Sequence, residues 1–87
     1  MYQKISSDNI PKDALLIDVK NREEYKQNHL NNSINIPINR IIDIINIEPN
    51  RNRNIVIYCS NGKRSYIACI SLINLGYKHV YDLDIKK

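Results

Sequence analysis

The sequence predicts an α/β domain in which a mostly parallel sheet is flanked by helices on both faces. Short runs rich in Ile, Val, Leu and Tyr alternate with segments of helical periodicity along the 87 residues, as in a series of βα units. The apolar runs are largely continuous, which is typical of parallel strands covered on both sides. Because no internal repeat or low-complexity segment divides the chain, we expect residues 1–87 to form one domain.

The first predicted unit joins two strands to a short helix. Residues 2–5 are a candidate edge strand, and residues 15–19 form an apolar run with one acidic interruption. A helix is expected at residues 23–28, because Asn21 is a good N-cap residue and the first turn is acidic. That acidic turn, which includes Glu24, is interpreted as part of a solvated helix face.

The second predicted unit is rich in Ile. A brief strand at residues 34–36 ends at Pro37, which cannot donate a hydrogen bond to a sheet. From Ile38 onward, Ile recurs at i, i+3, i+4 and i+7, and this spacing predicts an amphipathic helix over residues 38–45. Residues 48–54 are polar and are expected to form a surface loop.

The central unit consists of a strand, a polar loop and a helix. Residues 55–58 are β-branched or aromatic and predict a buried strand. The apolar run at residues 66–75 predicts a helix that ends before Gly76. Because this helix is apolar nearly all round, we expect it to be covered on several sides. Residues 80–83 predict the last strand.

The polar loop opens with Cys59 and is the candidate active site. Gly62 gives its backbone conformational freedom, and Ser65 is the expected N-cap of the following helix. Unpartnered N–H groups at a helix start, together with those of a curled loop, favour negative charge. Lys63 and Arg64 add positive charge. The pattern therefore predicts a Cys59 thiolate, which is the nucleophilic form of cysteine.

A plainer interpretation is that Cys59 is a buried residue at a strand end, because free cysteine is often buried. The polar residues that follow it make an unusual surrounding for a core position. Cys69 lies among apolar residues in the predicted helix and is interpreted as core, although a resolving role for it stays open. Two cysteines at this spacing make neither a disulfide framework nor a metal site, so no metal ligand or cofactor is predicted.

The formal net charge is +4, but the 13 basic residues are spread along the chain apart from small groups such as the tail at residues 86–87. This distribution indicates a solvated surface, and no nucleic-acid partner is predicted. The N-terminal residues lack the hydrophobic core of a signal peptide, and no run is long enough to span a membrane. We therefore expect a cytoplasmic protein without a membrane partner, in a reducing compartment that keeps Cys59 available.

Two blocks of the sequence resemble the single-domain rhodanese-like sulfurtransferases. The first lies within residues 16–37 and contains Leu-Ile-Asp-Val, Glu-Tyr, His-Leu and Ile-Asn-Ile-Pro in the family's order. The second is similar to the family's C-x-x-G-x-R-S/T active loop and reads Cys59-Ser60-Asn61-Gly62-Lys63-Arg64-Ser65. The resemblance covers most of the chain and implies a small rhodanese-like domain with a parallel sheet between helices.

The resemblance also implies a reaction. Cys59 would attack the outer sulfur of a donor such as thiosulfate, become a persulfide, and pass that sulfur to a thiophilic acceptor such as cyanide or a thiol. Arg64, with Lys63, would attract the anionic donor. The loop N–H groups would cradle the persulfide and belong to Ser60, Asn61, Gly62, Lys63, Arg64 and Ser65. No metal or organic cofactor is implied.

Two other functions stay open. A sulfur-relay or regulatory module would carry the persulfide to an acceptor protein with little turnover of free substrate. The third candidate is a cysteine-based phosphatase or arsenate reductase. The related enzymes of that kind have a longer loop, with five residues between Cys and Arg, whereas only four separate Cys59 from Arg64. Ser65 occupies the position of their arginine, which weighs against phosphate-ester chemistry.

Supporting roles are expected for Asp18 and His29. Asp18 either holds Arg64 or the loop by a charge-assisted hydrogen bond, or it pairs with Lys20 or Arg22 nearby. For His29, the resemblance implies a structural role with a bond near Asp18. The family's Gly-Gly pair and final helix are missing after Leu83, so we expect a thinly covered sheet face and a monomer or weak homodimer.

Overall fold

Five parallel strands form one sheet in the computed structural model, which describes residues 1–85; the predicted basic tail at residues 86–87 lies outside the described residues. The strands are β1 (Gln3–Ile5), β2 (Leu15–Asp18), β3 (Ile34–Asn35), β4 (Asn54–Tyr58) and β5 (His79–Leu83). Their order across the sheet is β1-β5-β4-β2-β3. The prediction of a parallel α/β sheet with flanking helices is confirmed.

The helical segments differ from the predicted ones mainly at their ends. They are a 3₁₀ turn (Ser7–Asn9), α1 (Arg22–Gln27), a 3₁₀ segment (Ile38–Asp43) that continues into α2 (Ile44–Ile47), and α3 (Lys63–Asn74). The single amphipathic helix expected at 38–45 is wrong, because Arg40 has φ −117° and ψ 16° and interrupts the helical backbone. Ile38, Ile41 and Ile45 still pack against the core, whereas Ile42 is exposed.

Parallel pairing brings the carboxyl ends of the central strands to one edge of the sheet. Asp18 on β2 lies opposite Tyr58 on β4, and Ile57 lies opposite Asp82 on β5. Cys59 follows β4 directly and therefore lies at this edge, where ligands bind in open α/β sheets. The strand register thus determines which side chains surround the cysteine.

The main hydrophobic cluster lies between the sheet and α3 with the 38–47 segment. It includes fully buried Ile17, Ile57 and Leu72. On the outer side of α3, however, Ile67 is 54% exposed and Ile70 is 38% exposed. The expectation that α3 is covered on several sides is therefore wrong. On the second sheet face, a smaller cluster of described residues forms around Val56, Tyr58 and Leu83.

No helix within residues 1–85 has both the length and the apolar character needed to cross a membrane.

Replacing Leu72 with Ala is expected to lower the free energy of unfolding by about 2–5 kcal/mol, because it leaves a cavity beneath α3. Leu72 is 0% exposed. The measurement is urea denaturation followed by circular dichroism. Ile70→Ala on the same helix is the control and should cost clearly less. Equal losses in the two variants would contradict this description of the core.

Candidate functional site

The loop after β4 and the first turn of α3 surround the Cys59 sulfur. The backbone N–H groups of Gly62 and Ser65 donate to Cys59 Sγ at 3.1 Å and 3.3 Å. Ser65 Oγ lies 3.5 Å from the same sulfur. Two amides and one hydroxyl therefore converge on it, and both amides belong to the start of a helix, where N–H groups lack helical partners.

Gly62, and not Ser65, is the N-cap residue of α3. Its φ of 85° lies in the left-handed region that glycine adopts without steric cost. The helix consequently begins three residues earlier than the N-cap prediction for Ser65 requires, and Ser65 occupies the third helical position. In that position the Ser65 N–H donates to the Cys59 sulfur, so the earlier helix start adds a donor to the predicted anion site.

These donors determine the acidity of the thiol. Burial alone would raise the pKa of Cys59, whose exposed fraction is 2%. Hydrogen bonds from the Ser65 hydroxyl and from the loop amides stabilise the thiolate and bring the pKa below its ordinary value. The plainer interpretation is thus correct about burial, but polar donors surround the sulfur. Cys69 is fully buried, and burial raises the pKa of its thiol.

Arg64 is bound to Glu24 on α1. Its two terminal nitrogens reach the two carboxylate oxygens at 2.6 Å and 3.0 Å, and one of them also donates to Ser60 Oγ at 3.1 Å. This fork connects α1 to the loop. Interpreting Glu24 as solvated was therefore wrong. Glu24 also completes a capping box with Asn21, a signal that is visible in the Asn-x-x-Glu spacing.

Asp18 does not hold Arg64. Its carboxylate accepts from the Lys20 backbone N–H at 2.8 Å and lies 3.5 Å from Lys20 Nζ. Of the two roles left open for Asp18, the structure has the local pairing with Lys20. Lys20 in turn donates to the Asn28 carbonyl at 3.0 Å, so the pair supports the residues after α1.

His29 is not bonded near Asp18, and that expectation is wrong. Its ring stacks on Tyr25 with centroids 3.8 Å apart, and Nδ1 lies 2.7 Å from the Tyr25 carbonyl oxygen. His29 Nδ1 thus provides a hydrogen-bond partner for the Tyr25 carbonyl, which lacks one within the last turn of α1. The structure places the contact of His29 at the end of α1, and the residue also lines a cavity beside Cys59.

Cys59 borders two cavities. One has a volume of about 140 Å³ and is lined on the β1 and β5 side by Lys4 and Asp82. The other, of about 210 Å³, is lined on the α1 side by Lys20 and Tyr58. Sequence reasoning missed Asp82, because only the strand register places it beside the loop. Tyr58 directly precedes Cys59, but no local signal indicated the partners of its hydroxyl.

Tyr58 holds the segment between α1 and β3. Its hydroxyl accepts from the Leu30 N–H at 2.9 Å and lies 3.0 Å from Ser33 Oγ. Burial raises the pKa of Tyr58 to about 12, so the phenol stays protonated at neutral pH. Within residues 1–85, no group of three or more His, Cys, Asp or Glu side chains is placed to hold a metal ion.

The Glu24 carboxyl is expected to titrate at about pH 2 in the intact chain. Its hydrogen bond with Arg64 and its capping bond at Asn21 hold its pKa there. Because a depressed pKa stabilises the fold only while the group is ionised, this stabilisation is lost as the pH falls from about 4.5 towards 2. NMR titration of the Glu24 side chain measures the midpoint. Arg64→Ala should move the midpoint up, and an unchanged value would contradict the pairing.

Comparison with known proteins agrees with this geometry. The profile of the family described as rhodanese-like domain matches residues 2–85. A tRNA sulfurtransferase of Thermoplasma acidophilum is 40% identical over 80 residues, which are 90% of this chain and 16% of that protein. The thiosulfate sulfurtransferase PspE of Escherichia coli is 37% identical over 65 residues, 74% of this chain and 62% of that protein. The chain therefore spans less than two thirds of either relative.

A solved structure extends the comparison to the fold. A rhodanese-related protein from Thermoplasma volcanium superposes with a TM-score of 0.80 and 30% identity, covering 95% of this chain and 84% of that one. With a family profile matched over nearly its whole length, the chain belongs to the rhodanese-like domain family.

Proposed function

We propose that the chain is a sulfurtransferase that moves a sulfane sulfur from a small anionic donor such as thiosulfate to a thiol or cyanide acceptor. The observation that carries the proposal is the Cys59 sulfur, which accepts from two backbone N–H groups at 3.1 Å and 3.3 Å. Such donors stabilise a thiolate, and they also suit the anionic persulfide that follows it.

Two displacement steps complete the reaction. In the first, the Cys59 thiolate attacks the outer sulfur of thiosulfate, the S–S bond of the donor breaks, and sulfite leaves with the bonding electrons. In the second, the acceptor attacks the outer sulfur of the Cys59 persulfide, and the cysteine thiolate is released. No external oxidant or reductant is consumed, because the electron pair of each broken bond leaves with its own fragment.

Cations beside the loop support the capture of an anionic donor. Lys63 is exposed on the first turn of α3, and Lys20 lines the 210 Å³ cavity together with Cys59. Arg64 acts less directly than the sequence suggested, because Glu24 already holds its guanidinium. In this proposal Arg64 keeps the loop in place, and Lys63 attracts the donor, because Asp18 already holds Lys20.

A sulfur-relay module is the second candidate. Cys59 is only 2% exposed, which favours a small donor for loading and controlled access for the acceptor. The chain covers only 16% of the tRNA sulfurtransferase that it resembles, so a similar module can serve inside a larger enzyme. In that case a sulfur-acceptor protein would be the partner. Phosphate-ester chemistry is disfavoured, because Ser65 stands where a phosphatase loop needs its arginine.

Intact-mass analysis of the purified chain, with and without thiosulfate, tests the proposal. We expect a gain equal to one sulfur atom, which cyanide removes as thiocyanate. Repeated turnover with cyanide would favour the sulfurtransferase, and loading with poor turnover would favour the relay module. If no sulfur is gained at any donor concentration, the proposed function is wrong.

A further inference from the structure

Asp82 is, after Asp18, a second buried acidic residue beside the reactive loop. Asp82 is 4% exposed and lies opposite Ile57 on β4, two residues before the cysteine. Because side chains alternate along a strand, Asp82 and Cys59 extend from the same face of the sheet. Within residues 1–85, no salt bridge neutralises this carboxyl, and the Ser65 hydroxyl is the side-chain group that interacts with it. Burying a carboxyl without a cation beside it is costly, so its place beside the reactive loop calls for an explanation.

Asp82 lines the cavity of about 140 Å³, and the lining of the same cavity includes Cys59 and Gly62. Lys4, the register partner of Asp82 on β1, lines the same cavity and is exposed. The volume is small compared with the pockets that hold drug-sized ligands. A short thiol fits a space of this size, and its S–H group would lie between Asp82 and the Cys59 sulfur.

We propose that Asp82 is a catalytic acid–base residue that takes the proton from a small thiol acceptor in this cavity and gives it to the transferred sulfur. The inference rests on the proposed function, since it concerns the second of the two displacement steps. The acceptor that this cavity would take is a short thiol with little or no charge.

The proton and electron balance of this step is complete. The Asp82 carboxylate accepts the S–H proton, and the acceptor thiolate attacks the outer sulfur of the Cys59 persulfide. The S–S bond breaks and its electron pair stays on Cys59 as a thiolate. The proton then moves from Asp82 to the transferred sulfur, so that the acceptor leaves as a neutral persulfide and the carboxylate is regenerated.

The surroundings of Asp82 suit such an exchange. Burial raises the pKa of the carboxyl above its ordinary value, and Asp84 raises it further, whereas Lys4 and the Ser65 hydroxyl lower it. Ser65 therefore lies where it can act on either Asp82 or Cys59. Its hydroxyl has one hydrogen to donate, and the Gly62 carbonyl at 3.3 Å is a third acceptor within reach. The groups that act on the carboxyl, or respond to it, from neighbouring segments are Tyr2, Lys4, Ser65, Cys69 and Asp84.

The test compares Asp82→Asn with Asp13→Asn, the same change at an exposed carboxyl that borders neither cavity. Each chain is first loaded with sulfur from thiosulfate, and single-turnover loss of that sulfur is followed by intact mass. With 2-mercaptoethanol as acceptor, we expect Asp82→Asn to discharge about 100-fold more slowly, within the usual range for a general base. With sulfite, which brings no thiol proton, the same variant should match the wild type. Asp13→Asn should match it with both acceptors.

An acidic thiol separates proton transfer from a merely structural role. Trifluoroethanethiol is largely ionised in weak base, so the deficit of Asp82→Asn should shrink strongly with this acceptor. An equal deficit with 2-mercaptoethanol, trifluoroethanethiol and sulfite would overturn the proposal, and so would the absence of any deficit. A comparable deficit in Asp13→Asn would show a general charge effect and would also overturn it.

If the wild type gains no sulfur from thiosulfate, the proposed function fails, whereas successful loading with unchanged discharge defeats only the role of Asp82. If Asp82→Asn does not fold, Asp82→Ser is measured in its place with the same three acceptors. Equal discharge of Asp82→Ser and the wild type to 2-mercaptoethanol would overturn the proposal.

Discussion

Replacing Cys59 with Ser is expected to abolish the uptake of sulfur from thiosulfate, whereas Cys69→Ser keeps it. A serine hydroxyl is a far weaker nucleophile than a thiolate and cannot form the persulfide. Cys69 is fully buried, and burial raises the pKa of its thiol, so it holds no reactive thiolate at neutral pH. Intact mass after incubation with thiosulfate measures the outcome directly.

Cys69→Ser also serves as the control for the loss of one buried sulfur. Both substitutions place a hydroxyl at a buried position, so thermal melts should accompany the mass measurements. Sulfur gain by the Cys59→Ser chain would contradict the assignment of the nucleophile. Loss of uptake in a folded Cys69→Ser chain would show instead that the second cysteine takes part.

Removing the Ser65 hydroxyl is expected to raise the pKa of the Cys59 thiol, because one of the donors that stabilise the thiolate is lost. A hydrogen bond to a charged group contributes about 1.5–3 kcal/mol, and one pKa unit corresponds to about 1.4 kcal/mol. Since the folded environment lowers this pKa, Ser65→Ala leaves less thiolate at neutral pH. Alkylation of Cys59 by iodoacetamide at pH 7 should therefore become about tenfold slower or more.

Ser71→Ala is the matched control, because its hydroxyl donates to the Ile67 carbonyl at 3.1 Å in the same helix. The rate of alkylation is measured from pH 5 to 10 for each chain. The Ser71→Ala profile should overlay the wild type, and the Ser65→Ala profile should shift to higher pH. A profile unaffected by Ser65→Ala would mean that the backbone amides alone determine the acidity.

The sequence contained enough to predict the sheet and the location of the loop. Strand positions follow from short β-branched runs, and the N-cap at Asn21 follows from local hydrogen-bonding chemistry. The N-cap of α3 was misassigned because Ser65 and Gly62 both suit a helix start. The observed φ of 85° at Gly62 decides between them, and the composition of the loop does not reveal it.

Contacts between distant segments account for the rest. Arg64 and Glu24 are 40 positions apart, and several acidic residues could have paired with that arginine. Asp82 entered the site only through the register of β5 on β4. The local sequence pattern predicts neither the partner of Arg64 nor the position of Asp82, because both depend on how the elements pack together.

The placement of β5 between β1 and β4 has a consequence for how the chain is made. During synthesis, residues 3–58 can be outside the ribosome while the strand that joins β1 to the rest of the sheet is still inside the exit tunnel. In that state β1 has no neighbouring strand, and the edge of β4 that β5 will cover is bare. An uncovered strand edge can pair with other chains. The sheet can therefore be completed only after residues 79–83 have emerged. A factor that binds nascent chains would protect the bare edge of β4 best just before that moment.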